Sequence, residues 1–293
     1  MAPPRIAAIG KFDALHRGHR ALMAAAAVRG EPVLIGFSGM AEVLGWEQRL
    51  PIMAPADRGR VLTDWGDTMR TVEGVEMPFS LVRDLEPEAF LDLLAERLSI
   101  AGVVTGADFR FGRDRRGDVA LLAQLCAERG WYHEVVPAVR HGTEVVSSTL
   151  VRGALAQGDV ALVRSLLGRP HRLQAEVVRG DGRGHRIGFP TANCAGFRNQ
   201  PPGAGVYACR AHVDGAGPYA AAVNIGYLPT IGDRRPLTVE AHLLDFHQDC
   251  YGADISLDFL LQLRGERRFP GLDALVEQLG RDVAATRAAV PIG

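Results

Sequence analysis

The sequence predicts two architectures in one chain: a parallel, doubly wound α/β sheet, then a small closed antiparallel β-barrel finished by a helix. Three observations carry this. Strand-like and helix-like patterns alternate from Arg5 to about Val136, the order that builds a parallel sheet. After Leu166-Leu167-Gly168-Arg169-Pro170 the pattern changes to short strands separated by Gly/Pro turns. That reads as all-β, and barrel closure is the simplest way to remove exposed edges. Finally, 293 residues are enough for two ordinary cores. The boundary is expected near Arg169, which gives domains 1–169 and 170–293.

Residues 5–9 form a short apolar strand broken by Gly10. A helix from Arg17 carries Leu22, Met23 and an alanine run to Arg29-Gly30, a good C-terminal stop. Strand 33–37, helix 56–65 and strand 69–72 follow, and Pro87 sits at the first turn of the next helix. Strand 102–105, helix 118–129 and a strand around Val135-Val136 complete the alternation. Gly158-Asp159 separates two short helices. In the second part, strands are expected at 173–178, 205–213, 219–225, 239–244 and 255–263, with a helix over 272–287. Leu272, Leu275, Val276 and Leu279 recur there at three- and four-residue spacing, a packing stripe.

Composition excludes several classes. A formal net charge of −1 advertises no basic face for nucleic acid or an anionic membrane. Cys126, Cys194, Cys209 and Cys250 are widely spaced with no CxxC pair, which suits reduced thiols better than disulfides or zinc. The start MAPPRIAAIG lacks a charged n-region and a long apolar h-region, and no apolar run approaches the roughly 18–20 residues of a membrane span. A soluble cytoplasmic protein is expected. Its oligomeric state is not legible.

The stretch Gly182-Arg183-Gly184-His185-Arg186-Ile187-Gly188-Phe189-Pro190-Thr191-Ala192-Asn193 sets three glycines within seven residues among basic side chains. Open backbone N–H groups beside positive charge suit phosphate. Pro190 fixes its own φ, so the Thr191 hydroxyl and Asn193 amide oxygen are expected on a stiff turn. Hard oxygen ligands of that kind, beside phosphates, suit Mg²⁺. A basic, Gly-rich surface loop ending in a Pro turn is the other reading that composition leaves open. No GxxxxGK[ST] loop occurs in the chain.

Between the first strand and helix lies Gly10-Lys11-Phe12-Asp13-Ala14-Leu15-His16-Arg17-Gly18-His19. A strand-to-helix turn presents free N–H groups and positive dipole to phosphate. His16 and His19, three apart, can face one ligand from the first helical turn and stabilise charge developing on an α-phosphate. A solvated or metal-binding pair is the alternative. The strand ending at Thr105 delivers Gly106-Ala107-Asp108-Phe109-Arg110-Phe111-Gly112 and a charged loop to Asp118. Ser147, Ser148 and Thr149 either cap a helix or bind phosphate, with Arg152 one turn further on. On period-two alternation Glu240, His242 and Leu244 share a strand face. If that face is interior, Glu240 is either catalytic or paired in the core.

Taken in order, these motifs resemble a known family. GKFDALHRGH is similar to the HxGH signature of nucleotidyltransferases in the form found in bacterial FAD synthetases. GADFRFGRDRRGD and SSTLVR resemble the second and third motifs of those enzymes. GRGHRIGFPTAN resembles the ATP/Mg²⁺ loop of riboflavin kinases, and NIGYLPT, TVEAHLLDF, DCYG and RGERRF resemble further kinase segments. The chain is identified as a member of the prokaryotic bifunctional riboflavin kinase/FAD synthetase family.

The resemblance implies a Rossmann-like nucleotidyltransferase domain that adenylylates FMN to FAD with release of pyrophosphate. It also implies a barrel that phosphorylates riboflavin to FMN. ATP is co-substrate in both and Mg²⁺ is needed, so riboflavin, FMN, FAD and ATP/ADP are the ligands. Glu240, His16 and His19 become the catalytic candidates. Gly10, Phe12, Gly18, Ser147, Ser148, Thr149, Arg152, Gly182, Arg183, Gly184, Pro190, Thr191 and Asn193 become ATP-binding. Asp108, Phe109, Arg264, Glu266 and Phe269 become flavin-binding, and Thr191 and Asn193 metal-binding. His242 is expected to be structural. Ala14 stands where the family usually has Gly, a strained substitution if that position needs φ > 0. A Pro-His-Pro-like turn is replaced by Ser38-Gly39-Met40-Ala41. A kinase with an impaired adenylyltransferase domain, and a non-enzymatic flavin-binding protein, are the alternatives.

Overall fold

The structure is a computed structural model that describes residues 2–66, 69, 72–180, 182–227 and 237–292, with only the backbone of Arg183. Contacts divide the chain into two compact units, Met1–Arg49 with Ala56–Ser147, and Leu50–Pro55 with Ser148–Gly293. Two short helices after Ser147 thus go with the barrel by contact, whereas the sequence expectation ends the first domain at Arg169.

The first unit contains β1 (Arg5–Ile9), α1 (Arg17–Arg29), β2 (Glu31–Ser38), α2 (Met40–Leu44), α3 (Arg58–Gly66), β3 (Glu73–Pro78), α4 (Pro87–Leu98), β4 (Ile100–Gly106), α5 (Val119–Glu128) and β5 (Tyr132–Val136). A two-residue hairpin, β6 (Arg140–His141) and β7 (Glu144–Val145), ends it. The five longer strands form a parallel sheet in the order β3-β2-β1-β4-β5. Ala7, Ile9, Val33, Ile35 and Val103 point from its centre into a core with Phe90, Leu91, Leu94, Leu122 and Leu125, as strands buried on both faces require. The chain leaves β1 toward β2 on one side and reaches β4 on the other, so the crevice at the carboxyl ends of β1 and β4 is the switch point of the sheet. The third strand is described from Glu73; of the strand expected over 69–72, Met69 lies in a bend, Val72 is in no strand, and Arg70 and Thr71 lie outside the described residues.

The second unit contains α6 (Ser148–Ala156), α7 (Val160–Leu167), β8 (His171–Val178), α8 (Arg183–Arg186), β9 (Ala192–Ala195), β10 (Gly205–Val213), β11 (Ala216–Tyr227), β12 (Leu237–Leu243), β13 (Asp254–Arg264) and α9 (Leu272–Ala289). Six strands close into an antiparallel barrel in the order β10-β11-β12-β9-β8-β13. Leu173, Ala175, Val177, Cys209, Val223, Ile225, Val239, Ala241, Leu257 and Phe259 fill its interior, one residue in two along each strand. The four cysteines are free thiols. Burial pushes Cys126 up to about 11 and Cys194 up to about 12, so both stay protonated near neutrality.

Two expectations about the second unit are corrected, and one left open is decided. Residues 192–195 form a strand, so Asn193 stands on a strand beside the turn of Pro190. The face shared by Glu240 and His242 is the exterior, because Val239, Ala241 and Leu243 take the interior; Leu244 is buried outside the barrel with Ala208, Ala220 and Val290. The most deeply buried residues of α9 are Gln278, Asp282 and Thr286; of the expected stripe, Leu275, Val276 and Leu279 are half-buried and Leu272 is 58% exposed. The segment resembling NIGxxPT runs out of the described residues at Tyr227.

Candidate active sites

In the first unit, a cavity of about 840 Å³ opens at the carboxyl ends of the sheet, lined by residues that follow or end all five strands: Gly10, Phe37, Phe79, Gly106 and Val136. His16, the N-cap of α1, and His19, in its first turn, line it. Each imidazole caps the other's backbone. His16 Nδ1 accepts from the His19 N–H, and His19 Nδ1 accepts from the His16 N–H, both at 3.3 Å. With Nδ1 committed as acceptor, the neutral form of each ring carries its proton on Nε2. The rings stack with centroids 3.6 Å apart, and Phe12 meets His19 edge-on at 4.8 Å. A Cβ at Gly18 would come within 3.0 Å of His16 Cε1, so the missing side chain lets the ring lie over the helix start.

The loop that carries them is strained, but not at Ala14. Phe12 (φ 32°) and Leu15 (φ 44°) have left-handed backbones and are buried, which holds conformations that cost about 1–3 kcal/mol each. Ala14 does not share that conformation.

Lys11, Arg83, Arg110 and Arg115 line the cavity together with Asp108, a positive excess suited to phosphates. Its apolar part includes Met40, Leu44, Trp46, Phe79 and Phe109, and Phe109 stacks on Phe111 at 5.6 Å. The segment Ser38–Ala41 opens α2, so the residues in place of a Pro-His-Pro turn supply Met40 to this wall. Ser147 lines the cavity. Ser148, Thr149 and Arg152 fall in the second unit, where Arg152 Nη1 donates to Gln200 Oε1 at 2.6 Å and to the Leu50 carbonyl at 3.0 Å.

In the barrel unit, β12 places Glu240 between two asparagines: register pairs it with Asn193 on β9 and Asn224 on β11. The three side chains share the outer face. Gly180 makes room for Asn193, because a Cβ there would collide with the Asn193 amide. The Gly-rich stretch folds as Gly182 (φ 67°), the single turn of α8 and Gly188 (φ 84°). It then doubles back so that Phe189 N–H donates to the Gly184 carbonyl at 2.9 Å. His242 donates Nδ1–H to the Pro190 carbonyl at 2.7 Å and meets Phe189 edge-on, which fixes the turn that delivers Thr191. Thr191 also lines a recess of about 270 Å³ with Ala241, Phe246, Cys250 and Tyr251.

Arg264 and Phe269 face each other with the guanidinium 5.6 Å from the ring centroid. Glu266 lies across Gly226: a Cβ there would meet Glu266 Oε1, with Asn224 Nδ2 3.8 Å away. Sequence reasoning did not single out Gly180, Asn224 or Gly226 as site residues. The signal for Asn224 and Gly226 was the alternation of β11, which sets them opposite the apolar Val223 and Ile225.

The donors fit a hard cation. Thr191 and Asn193 offer a hydroxyl and an amide oxygen, and a Cβ at Gly184 would lie 3.3 Å from Thr191 Oγ1. Among the described residues no group of three or more His, Cys, Asp or Glu could hold a metal by itself, so any metal here would share nucleotide oxygens.

Comparison with known proteins bears on both units. A family model described as FAD synthetase matches residues 2–150, and one described as riboflavin kinase matches residues 167–290. The bifunctional riboflavin kinase/FMN adenylyltransferase of Escherichia coli K12 is 36% identical over 95% of this chain and 90% of its own length. The chain belongs to the bifunctional riboflavin kinase/FMN adenylyltransferase family. FAD synthetase 1, chloroplastic, of Arabidopsis thaliana is 41% identical over 69% of this chain. The match spans about three fifths of the length of this plant relative and its second form, 62% and 59% respectively. A crystal structure described as a macrolide-efflux protein from Streptococcus pneumoniae superposes with a TM-score of 0.85 at 28% identity, covering 98% of this chain and 95% of that one. Among the described residues no helix is long and apolar enough to cross a membrane.

Proposed function

We propose that this member of the family makes FMN from riboflavin in its barrel unit and FAD from FMN in its α/β unit, consuming one ATP in each step. The observation that carries the reading is the row Asn193–Glu240–Asn224 on the outer face of the barrel, beside the Gly-rich turn that ends in Thr191. In the kinase step Glu240 accepts the proton of the terminal ribityl hydroxyl as that oxygen attacks the γ-phosphorus, and ADP leaves. Gly182, Arg183 and Gly184 bind phosphate oxygens through the backbone, with Pro190 setting the turn. Thr191 and Asn193 would hold Mg²⁺, which would offset phosphate charge. The recess beside Thr191 takes the base of ATP.

In the adenylyl step a phosphate oxygen of FMN attacks the α-phosphorus of the second ATP, and pyrophosphate leaves. His16 and His19 donate from Nε2 to the α-phosphate oxygens, a stabilisation that needs no prior protonation of either ring. Gly10, Phe12, Gly18 and Ser147 shape the nucleotide side. Ser148, Thr149 and Arg152 are assigned to the triphosphate by the motif SSTLVR alone, and Asp108 and Phe109 to the flavin. Absence of a left-handed φ at Ala14 removes the backbone argument for an impaired adenylyltransferase. The functional boundary is placed just after α7, with the modules assigned to 1–169 and 170–293. The demand for ATP in both steps suits the cytoplasm.

The test is a time course with riboflavin, excess ATP and Mg²⁺. FMN should rise first and FAD after it. FMN accumulating without FAD, even from added FMN, would reduce the chain to a kinase, and no product at all would leave only flavin binding.

A further inference from the structure

The most deeply buried residues of α9 are polar, set among the half-buried Leu275, Leu279 and Val283. Gln278, Asp282 and Thr286, spaced by one turn each, are its buried residues. Asp282, only 4% exposed, grips Arg264 at the end of β13. Arg264 Nη2 donates to Oδ2 at 2.8 Å and Nε reaches Oδ2 at 3.1 Å. Gln278 Nε2 donates to Oδ1 at 2.8 Å, and Thr286 Oγ1 donates to the Asp282 carbonyl at 2.8 Å.

A buried carboxylate–guanidinium pair is a poor device for stability alone, because desolvation consumes most of the Coulomb gain. Its best-attested use is to fix one arrangement of the chain. What it fixes here is the start of the segment 264–269. Two residues on, the exposed carboxylate of Glu266 lies across Gly226, where a side chain would collide with it. Asn224 flanks the same point, and Asn224 is the register partner of Glu240. Glu240, Asn224 and Glu266 therefore line one strip of the outer face. Asn224 and Gly226 are two residues apart on β11, about 6.5–7 Å along a strand, a step of several carbons of a polyol chain.

We propose that Asp282 is a positioning residue of the kinase site: by holding Arg264 it sets Glu266 across Gly226, where Glu266 and Asn224 recognise the inner hydroxyls of the ribityl chain while Glu240 takes the terminal one. The chemistry matches, since each hydroxyl of a polyol both donates and accepts: it can give its O–H to the Glu266 carboxylate and take an N–H from Asn224 Nδ2. The proposal rests on the kinase reading of this face.

The test compares riboflavin with lumiflavin, which has the flavin ring without the polyol, as substrate and competitive inhibitor of the kinase reaction. Asp282→Asn and Gly226→Ala should each raise the riboflavin KM about tenfold, with kcat changed less than about threefold. The ATP KM, the inhibition constant of lumiflavin and the conversion of added FMN to FAD should not move, and Asp282→Glu should recover part of the loss. Gly226→Ala leaves the ion pair intact and displaces only the flexible end of Glu266. It decides the matter if Asp282→Asn fails to fold. Unchanged riboflavin KM in the folded variants, or equal weakening of riboflavin and lumiflavin, overturns the proposal. A wild-type protein that does not phosphorylate riboflavin overturns the kinase reading instead.

Discussion

The two units build their sites in opposite ways. In the α/β unit every strand points its carboxyl end at one crevice, so the candidate side chains sit on the loops that follow the strands and enclose a cavity of about 840 Å³. In the barrel the strand interiors are spent on packing, and the candidate side chains stand on the outer face, ordered by strand register. Chemical neighbours in the first site are sequence neighbours, such as His16 and His19. Those in the second are brought together by pairing: Asn193, Glu240 and Asn224 come from three strands. A strand-end site tolerates change within the sheet, whereas a register site depends on the pairing of each strand.

The comparison is broken most directly by separating the two activities. Glu240→Gln should lower riboflavin phosphorylation by about 10²–10⁴-fold, the usual worth of a general base, and leave FAD formation from added FMN intact. His16→Ala should lower adenylylation by about 10²–10³-fold and leave phosphorylation intact; rates with each substrate supplied separately check both.

A third prediction concerns stability. His171, 2% exposed in the barrel unit, donates Nε2–H to the Gln200 carbonyl at 2.8 Å, and burial holds its pKa down to about 4. The unfolded chain takes up this proton near pH 6.5, so the stability is fully present above that pH and is lost as pH falls toward 4, on the order of 3 kcal/mol. Thermal melts of the barrel transition across that window should show the loss. His171→Gln, which keeps a donor without titrating, should flatten it; an unchanged slope would remove His171 as its source.

The smallest effect sharpens the first site. Gly18→Ala should press its Cβ on the His16 ring and cost about tenfold in adenylylation, as a small misplacement does, with phosphorylation unaffected. An adenylylation rate equal to that of the wild type would show that the ring has room to move.

Much of this was legible because contiguous motifs mark strand ends. The strand-to-helix turn of residues 10–19 and the Gly106–Gly112 segment lie where the alternation places them. Register was less legible. Pro190 made 190–193 read as a turn, although β9 starts at Ala192. Glu240 was placed by alternation on a shared face, but only the packing of Val239 and Ala241 decides that this face is the exterior. The stripe of α9 misled for a physical reason. Leu272, Leu275, Val276 and Leu279 have helical spacing, yet the helix docks over the polar end of β13, so Gln278 and Asp282 become its buried residues. No local pattern announces a charge buried against a distant arginine.

The central claim is that two independent sites act in sequence, and a mixing experiment tests it most directly. Glu240→Gln alone, given riboflavin, ATP and Mg²⁺, should make neither flavin nucleotide at a useful rate, and His16→Ala alone should stop at FMN. Mixed in equal amounts, the two variants should make FAD from riboflavin, each supplying the step the other lacks. A mixture that stops at FMN, while wild-type protein reaches FAD, would contradict the account by showing that the two sites cannot be separated in this way.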